Sequence, residues 1–293
     1  PAAPPPERLA QQDLSRAVGR AMREGRYVFD NPIAITQRRL LVGLNEQVLG
    51  WTPSGRDGDP PGALNNATFI DGAKGKGVHL YDTIGFAAQG VGAYDRLQDF
   101  SLDLWIKLRK GEPYKRASVL YNQSRSGYDL LLEDNHLKFE VVHNPPFNML
   151  SVRTLEQLPQ DKWVHVTATY DGSSRASGVA LFVNGERVKT ELYRDNLTRS
   201  SLPRGGHSLL GSYFGLAFGP RRGQEEFKDG AIDEIRVFRK GLVPLEVAYL
   251  HDPVAALRQP AVALQADIAE FLAQQSDDFA AARKTLREAQ LAE

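Results

Sequence analysis

Between Phe100 and Leu108 the chain alternates strictly: Phe100, Leu102, Leu104, Ile106 and Leu108 are separated by Ser101, Asp103, Trp105 and Lys107. A period of two predicts a strand with one face in a core, which leaves Trp105 on the opposite face, as a cover for it or as an aromatic platform. The same pattern returns around turn formers. Leu130 and Leu132 run into Asp134-Asn135, and Leu137, Phe139 and Val141 run out again; Val164, Val166 and Ala168 precede Asp171-Gly172; Val179, Leu181 and Val183 precede Asn184-Gly185. Asn-Gly tolerates positive φ at both positions and is the strongest short hairpin signal. Four such units, with no long helical period between Trp51 and Leu242, predict antiparallel sheets packed face to face. The stretch from Phe227 to Tyr249 reads as a last strand, a turn and a short closing helix. Alternation sets Asp233 on the face of Ile235 and Val237, so the sequence predicts an inward carboxylate in need of a partner.

The ends of the chain have a different period. Pro1 to Pro6 is a proline-rich lead expected to be disordered. Leu9, Leu14, Ala17, Val18, Ala21 and Met22 then fall at helical spacing, and Leu40, Leu41, Leu44 and Val48 form a weaker pattern after Asn31-Pro32. A cluster of Gly, Pro, Asp and Asn after Trp51 ends this regime. Beyond Asp252-Pro253, Val262, Leu264, Ile268, Leu272, Phe279, Leu286 and Ala289 lie near one helical stripe. The expected division is a helical flank at 1–50, a β-sandwich at 51–252 and a helical flank at 253–293.

Composition narrows the classes of function. At 293 residues the chain can bury a sizeable core, and 36 Lys+Arg against 36 Asp+Glu leave no overall field for nucleic acid or anionic lipid. The pairs Arg38-Arg39 and Arg221-Arg222 are too short to change this. The absence of cysteine removes disulfides, thiolate metal sites and Cys nucleophiles. No run approaches the ~18 apolar residues of a membrane span, and PAAPPPERLA lacks the features of a signal peptide, so the sequence reads as an internal piece of a longer protein.

Five blocks occur in order: SGRDGDPPGALNNATFIDGAKGKGVHLYD, DFSLDLWIKL, LPQDKWVHVTATYDG, ALFVNGERV and GAIDEIRVFRKGLVPLEVAYL. Together they resemble the laminin-G-like, concanavalin-A-like lectin/glucanase jelly roll, over about Trp51 to Asp252. The resemblance implies an all-β fold, a two-sheet antiparallel jelly-roll sandwich, here flanked by α-helical segments. Related jelly rolls hold calcium between the closing strand and the first strands, which implies Asp233, Asp71 and the carbonyls of Gly72 to Gly77 as ligands of a structural Ca²⁺. The alternative for Asp233 is a set of backbone N–H donors from the opening loop. That loop often carries an Asp before Ser-Gly in the family, and here the neighbourhood is Trp51-Thr52-Pro53. A module bracketed by helices also resembles large multidomain proteins of planctomycete-type bacteria, which implies an extracytoplasmic setting with flanking domains of the same polypeptide as partners.

Glucanases of this fold set paired acids on one strand as Glu-x-Asp-x-x-Glu, and no such motif occurs. The six histidines show no zinc spacing, and no Ser-His-Asp set emerges. His165 alternates with core valines and is expected to be a packed or edge residue and not a base. Catalytic residues are therefore not expected. Sugar recognition needs rings for the apolar face and amides for the hydroxyls. Candidates are Tyr121, Asn122 and Gln123, then Asn144, Phe147 and Asn148, then Tyr213 with Phe214; the alternative for each ring is closure of a sandwich end. The expectation is a carbohydrate or protein ligand, and no nucleic acid.

Overall fold

The computed structural model describes Arg16 and residues 68–80, 86–89, 92–122, 126–202, 215–218, 227–256, 261–274 and 276–292. The predicted helices at 7–25 and 36–49 and the division at Trp51 lie outside these residues, apart from Arg16, which is helical. Among the described residues, two antiparallel sheets of 7 strands each form a sandwich. The first holds β1 (Thr68–Asp71), β2 (Lys76–Leu80), β14 (Gly230–Phe238), β4 (Phe100–Lys107), β9 (Trp163–Tyr170), β10 (Val179–Val183) and β11 (Glu186–Arg187), in that spatial order. The second runs β12 (Thr190–Asp195), β8 (Asn148–Gln157), β7 (His136–Asn144), β6 (Gly127–Glu133), β5 (Ala117–Asn122), β13 (Gly215–Phe218) and β3 (Phe86–Gln89).

The alternating positions meet between the sheets. Phe100, Leu102, Leu104 and Ile106 of β4 face Leu130, Leu132, Phe139 and Val141 of the second sheet in one apolar core. Two turns that the sequence singled out make the hairpins: Asp134-Asn135 with φ of 52° and 61°, and Asn184-Gly185 with φ of 51° and 82°. Asp and Asn tolerate that left-handed backbone better than other non-glycine residues, so the register of both hairpins is set locally.

One expectation about β14 is corrected. Asp233 pairs with Trp105, but the next paired residue is Arg236, opposite Asp103, and Glu234 between them has φ 51°. The extra residue is a β-bulge, which breaks the alternation. Ile232, Ile235 and Val237 enter the core. Asp233 instead shares the outer face with its cross-strand partner Trp105. It is nonetheless fully buried, because the outer face of this sheet is covered.

The cover is helical. Helix α1 (Pro244–His251) starts at a proline, follows β14 after a short turn and buries Leu245, Glu246, Val247 and Leu250. After α2 (Pro253–Ala256) come α3 (Ala261–Gln274) and α4 (Asp277–Ala292). Phe182 of β10, Phe238 of β14, Leu242, Leu245, Leu250 and Phe271 of α3 form a second core on that outer face. Phe271 thus packs in the same layer as α1, although it lies beyond the expected division after Asp252. Glu246 fixes the start of α1: it pairs with Lys240, and its other oxygen accepts the Val243 N–H at 3.1 Å. No helix among the described residues is long and apolar enough to cross a membrane.

Candidate binding site

Register places the described ligand candidates at one end of the second sheet. Asn122 pairs with Tyr128, Gly127 with Val142, and Asn144 with Asn148, so the ends of β5 and β7 and the starts of β6 and β8 are neighbours. Gln123, Tyr213 and Phe214 lie outside the described residues. Within the gathered set the roles divide. Tyr121 and Asn122 are buried, and the Asn122 amide donates to the Gly92 carbonyl at 2.9 Å, which ties down a neighbouring loop.

The β7–β8 hairpin tip is different. Asn148 Oδ1 accepts the N–H groups of Thr198 and Arg199 at 3.2 and 3.1 Å, and its Nδ2 donates to Thr198 Oγ1 at 2.8 Å. Asn196 Nδ2 donates to the Phe147 carbonyl at 2.7 Å, and His143 Nδ1–H donates to the Ser200 carbonyl at 2.7 Å. These bonds stitch the tip to residues 196–200 and engage both ends of the Asn148 amide. Phe147 is left 74% exposed beside the exposed Asn144. A ring held out by a backbone fixed at both ends is a stacking platform that loses little entropy on binding.

The outer face of the same sheet carries acids, of which sequence reasoning weighed Glu133 beside its turn and missed Asp129 and Glu140. Asp129 lies directly opposite Glu140, with Glu133 further along β6. The two-residue turn at Asp134-Asn135 fixes that pairing, so the signal was present in the sequence. Each acid is engaged. Ser118 Oγ donates to Asp129 Oδ2 at 2.8 Å; Glu140 takes Arg116 at 2.8 Å and Lys138 at 3.4 Å; Glu133 takes Lys138 at 3.0 Å and Arg153 at 3.4 Å. Arg153 also binds Glu191 at 2.6 Å, and Tyr193 stacks on Lys138 and Arg153. Burial pushes the Glu133 carboxyl up, but the Lys138 hydrogen bond and the charges of Lys138, Arg116 and Arg153 outweigh it and hold it below the usual range. A general acid needs the opposite shift.

Under α1, Asp103 receives Thr167 Oγ1–H at 2.7 Å and Arg236 Nη1–H at 2.9 Å, and His165 Nε2 lies 2.9 Å away. Arg236 also pairs with Glu234. Burial acts to raise the Asp103 carboxyl; His165, Arg236 and the Thr167 hydrogen bond more than offset it, bringing it down to about 2. The set is closed to substrate, since Trp105 stacks on His251 at 5.4 Å and both Asp103 and His165 are fully buried. Trp105 therefore covers its face and offers no platform, and His165 is packed as expected.

Around Asp233 the neighbouring groups are donors. Lys74 N–H reaches Oδ2 at 2.9 Å, Glu234 N–H reaches Oδ1 at 2.8 Å, and Ala73 N–H also bonds the carboxylate. Asp71 is exposed, and its carbonyl accepts the Trp163 indole N–H at 3.1 Å. Calcium wants six to eight oxygens, and no group of three or more His, Cys, Asp or Glu that suits a metal exists among the described residues. In this arrangement the Asp233 carboxylate is engaged by N–H donors.

Residues 86–248 match the family described as the concanavalin A-like lectin/glucanases superfamily, more than half of the chain. The chain belongs to this superfamily. No curated protein matches it. Among solved structures, the binding domain of Paraclostridial Mosquitocidal Protein 1 is similar with TM-score 0.49 and 14% identity over 65% of this chain and 46% of that one. The Botulinum Neurotoxin Type G receptor binding domain gives TM-score 0.46 and 14% identity over 64% and 45%. Domain 4 of AbnA, a GH43 extracellular arabinanase from Geobacillus stearothermophilus in complex with arabinotriose, gives TM-score 0.42 and 18% identity over 69% and 86%. This chain spans less than half the length of the first two. As a concanavalin A-like jelly roll, it has its outer faces dressed differently: one by helices, the other by the ion-pair network beside the hairpin tip.

Proposed function

We propose that this domain is a non-catalytic binding module that recognises carbohydrate or glycoconjugate ligands at the β7–β8 hairpin tip, within a larger extracytoplasmic protein. The observation that carries this reading is Phe147, exposed on a hydrogen-bonded hairpin with the exposed Asn144 beside it. Glu133 and Glu140 of the neighbouring face are neutralised in ion pairs and Asp129 accepts a hydroxyl, which speaks against hydrolysis and for binding. Asp233 in this reading is a hydrogen-bonded pin that works without calcium.

A second reading, a protein-interaction spacer without glycan binding, is favoured by Leu272, Leu286 and Leu291, which stand more than half exposed on α3 and α4. A glycan array run on the wild type and on Phe147→Ala separates the two. Glycan binding that disappears in the variant at unchanged melting temperature supports the first reading. A blank array together with tight association of neighbouring domains establishes the second.

A further inference from the structure

Among the described residues, the hydrogen bonds that tie helix α4 to the sandwich come from Arg283. Arg283 Nη1 lies 2.6 Å from Asp99 Oδ2, and its Nη2 donates to the Asp171 carbonyl at 3.0 Å. Phe279, Leu286, Arg287 and Gln290 continue the same helical stripe by their spacing, yet Leu286 remains 58% exposed. The helix therefore leaves a cleft beyond its anchor, with a volume of about 600 Å³, between α4 and the β9–β11 edge of the first sheet. That volume lies in the range of small-ligand sites, roughly 300–1,000 Å³.

The lining has a consistent chemistry. Arg187 of β11, Lys284 and Arg287 line the cleft, and neither arginine has an acid within ion-pair distance among the described residues. Lys284 reaches only Glu288, at 3.9 Å. On the acidic side, Asp99 is taken up by Arg283 and by the Gly241 N–H, and Asp171 Oδ1 accepts the Ser173 N–H. Asp171, still a charged carboxylate, and Glu270 remain against Arg187, Lys284 and Arg287, which leaves one positive charge in excess. Hydroxyls of Ser173 and Ser177, amides of Gln274 and Gln290, and the apolar surface of Leu286 complete the wall.

We infer that this cleft is a second binding site, one that takes an acidic oligosaccharide. A uronate presents three things at once: a carboxylate for the arginine forks, hydroxyls for amides and serines, and an apolar ring face for Leu286. The site is separate from the hairpin tip, which lies at the end of the other sheet, and does not depend on it.

Calorimetric titration of the whole chain with a galacturonate trimer, against the neutral galactose trimer, tests the assignment. The expected result is binding of the charged trimer that weakens with added salt, with little or none for the neutral one. Arg187→Ala and Arg287→Ala each weaken it about tenfold, as loss of one charge-assisted contact does. The titration is run in the Phe147→Ala background, in which the tip platform is removed, so failure at the tip and failure in the cleft are distinguishable. Both arginine positions are exposed, and an unchanged near-ultraviolet circular dichroism spectrum confirms that the variants fold. No binding of the charged trimer, equal binding of both trimers, or binding indifferent to both arginine variants overturns the assignment.

Discussion

The carboxylate of Asp233 accepts the backbone N–H of Lys74 at 2.9 Å across 159 residues of sequence, and so joins the last strand to the β1–β2 turn. Its second oxygen holds the Glu234 N–H at the bulge. Because the partners are N–H groups, Asp233→Asn turns an amide NH₂ against one of them and is expected to destabilise the fold by about 1–3 kcal/mol. Burial, the largest influence, raises the folded carboxyl above its unfolded value. What this group contributes to stability is therefore fully present below the unfolded pKa and is lost as pH rises through the raised one. EDTA should leave the thermal melt of the wild type unchanged. A melt shifted by EDTA and restored by calcium would sink the hydrogen-bonded pin.

Gly72 tests the same contact from the other side. A Cβ there would sit 2.7 Å from Gly77 N and closer still to Asp233 Oδ2, both held in place by the turn. Gly72→Ala is expected to lower stability by about 1–3 kcal/mol through overpacking and displacement of the carboxylate. Urea unfolding measures it, and a neutral result would show that the turn yields freely.

Much of this was legible in the sequence, and the exceptions have physical causes. Alternation named Phe100, Leu102, Leu104 and Ile106 as core, and the Asp-Asn and Asn-Gly turns gave their hairpins, since both signals are local. The face of Asp233 was misread because one residue in left-handed backbone at Glu234 shifts every later position, and an aspartate-glutamate pair carries no mark of a bulge. Ser101, Asp103 and His165 are buried on the outer face because α1 covers it, a tertiary fact no local pattern contains. For the site, residue type alone could not separate Asn122 and Asn148, whose amides are used internally, from Asn144.

Asp103 predicts a pH dependence opposite in sign to that of Asp233. Its carboxyl lies below the unfolded value, so its contribution is present above about pH 4 and is lost as pH falls toward about 2. The full effect is about 2–3 kcal/mol. Asp103→Asn leaves Arg236 with Glu234 alone and is expected to cost about 3 kcal/mol at neutral pH, with a flatter stability profile between pH 4 and 2. Chemical denaturation across that window reads both, and parallel profiles for the two proteins would contradict the assigned ion pair.

Phe147 should behave in the opposite way to a core ring. With 74% of its surface exposed, Phe147→Ala is expected to change stability by less than about 0.5 kcal/mol while removing glycan retention. Loss of stability comparable to a core substitution would mean that the ring closes the end of the sandwich and offers no platform.

The last test concerns where the domain ends. Phe271 of α3 is 1% exposed against Phe182, Phe238 and Leu250, so the outer face of the first sheet relies on a residue beyond the β-sandwich segment itself. Phe271→Ala removes the whole of a buried aromatic ring and is expected to cost about 3–5 kcal/mol. Deleting 258–293 removes the same ring together with the Arg283 bond to Asp99. The truncated sandwich retains its main core between the sheets and should still unfold cooperatively, at a lower midpoint, with the strip around Phe182 and Leu250 newly open to a hydrophobic dye. If the truncation melts at the wild-type midpoint and binds no dye, α3 is dispensable packing and the division belongs directly after α1. If cooperative unfolding is lost, the C-terminal helices are part of the domain's folding unit, and the division moves beyond them.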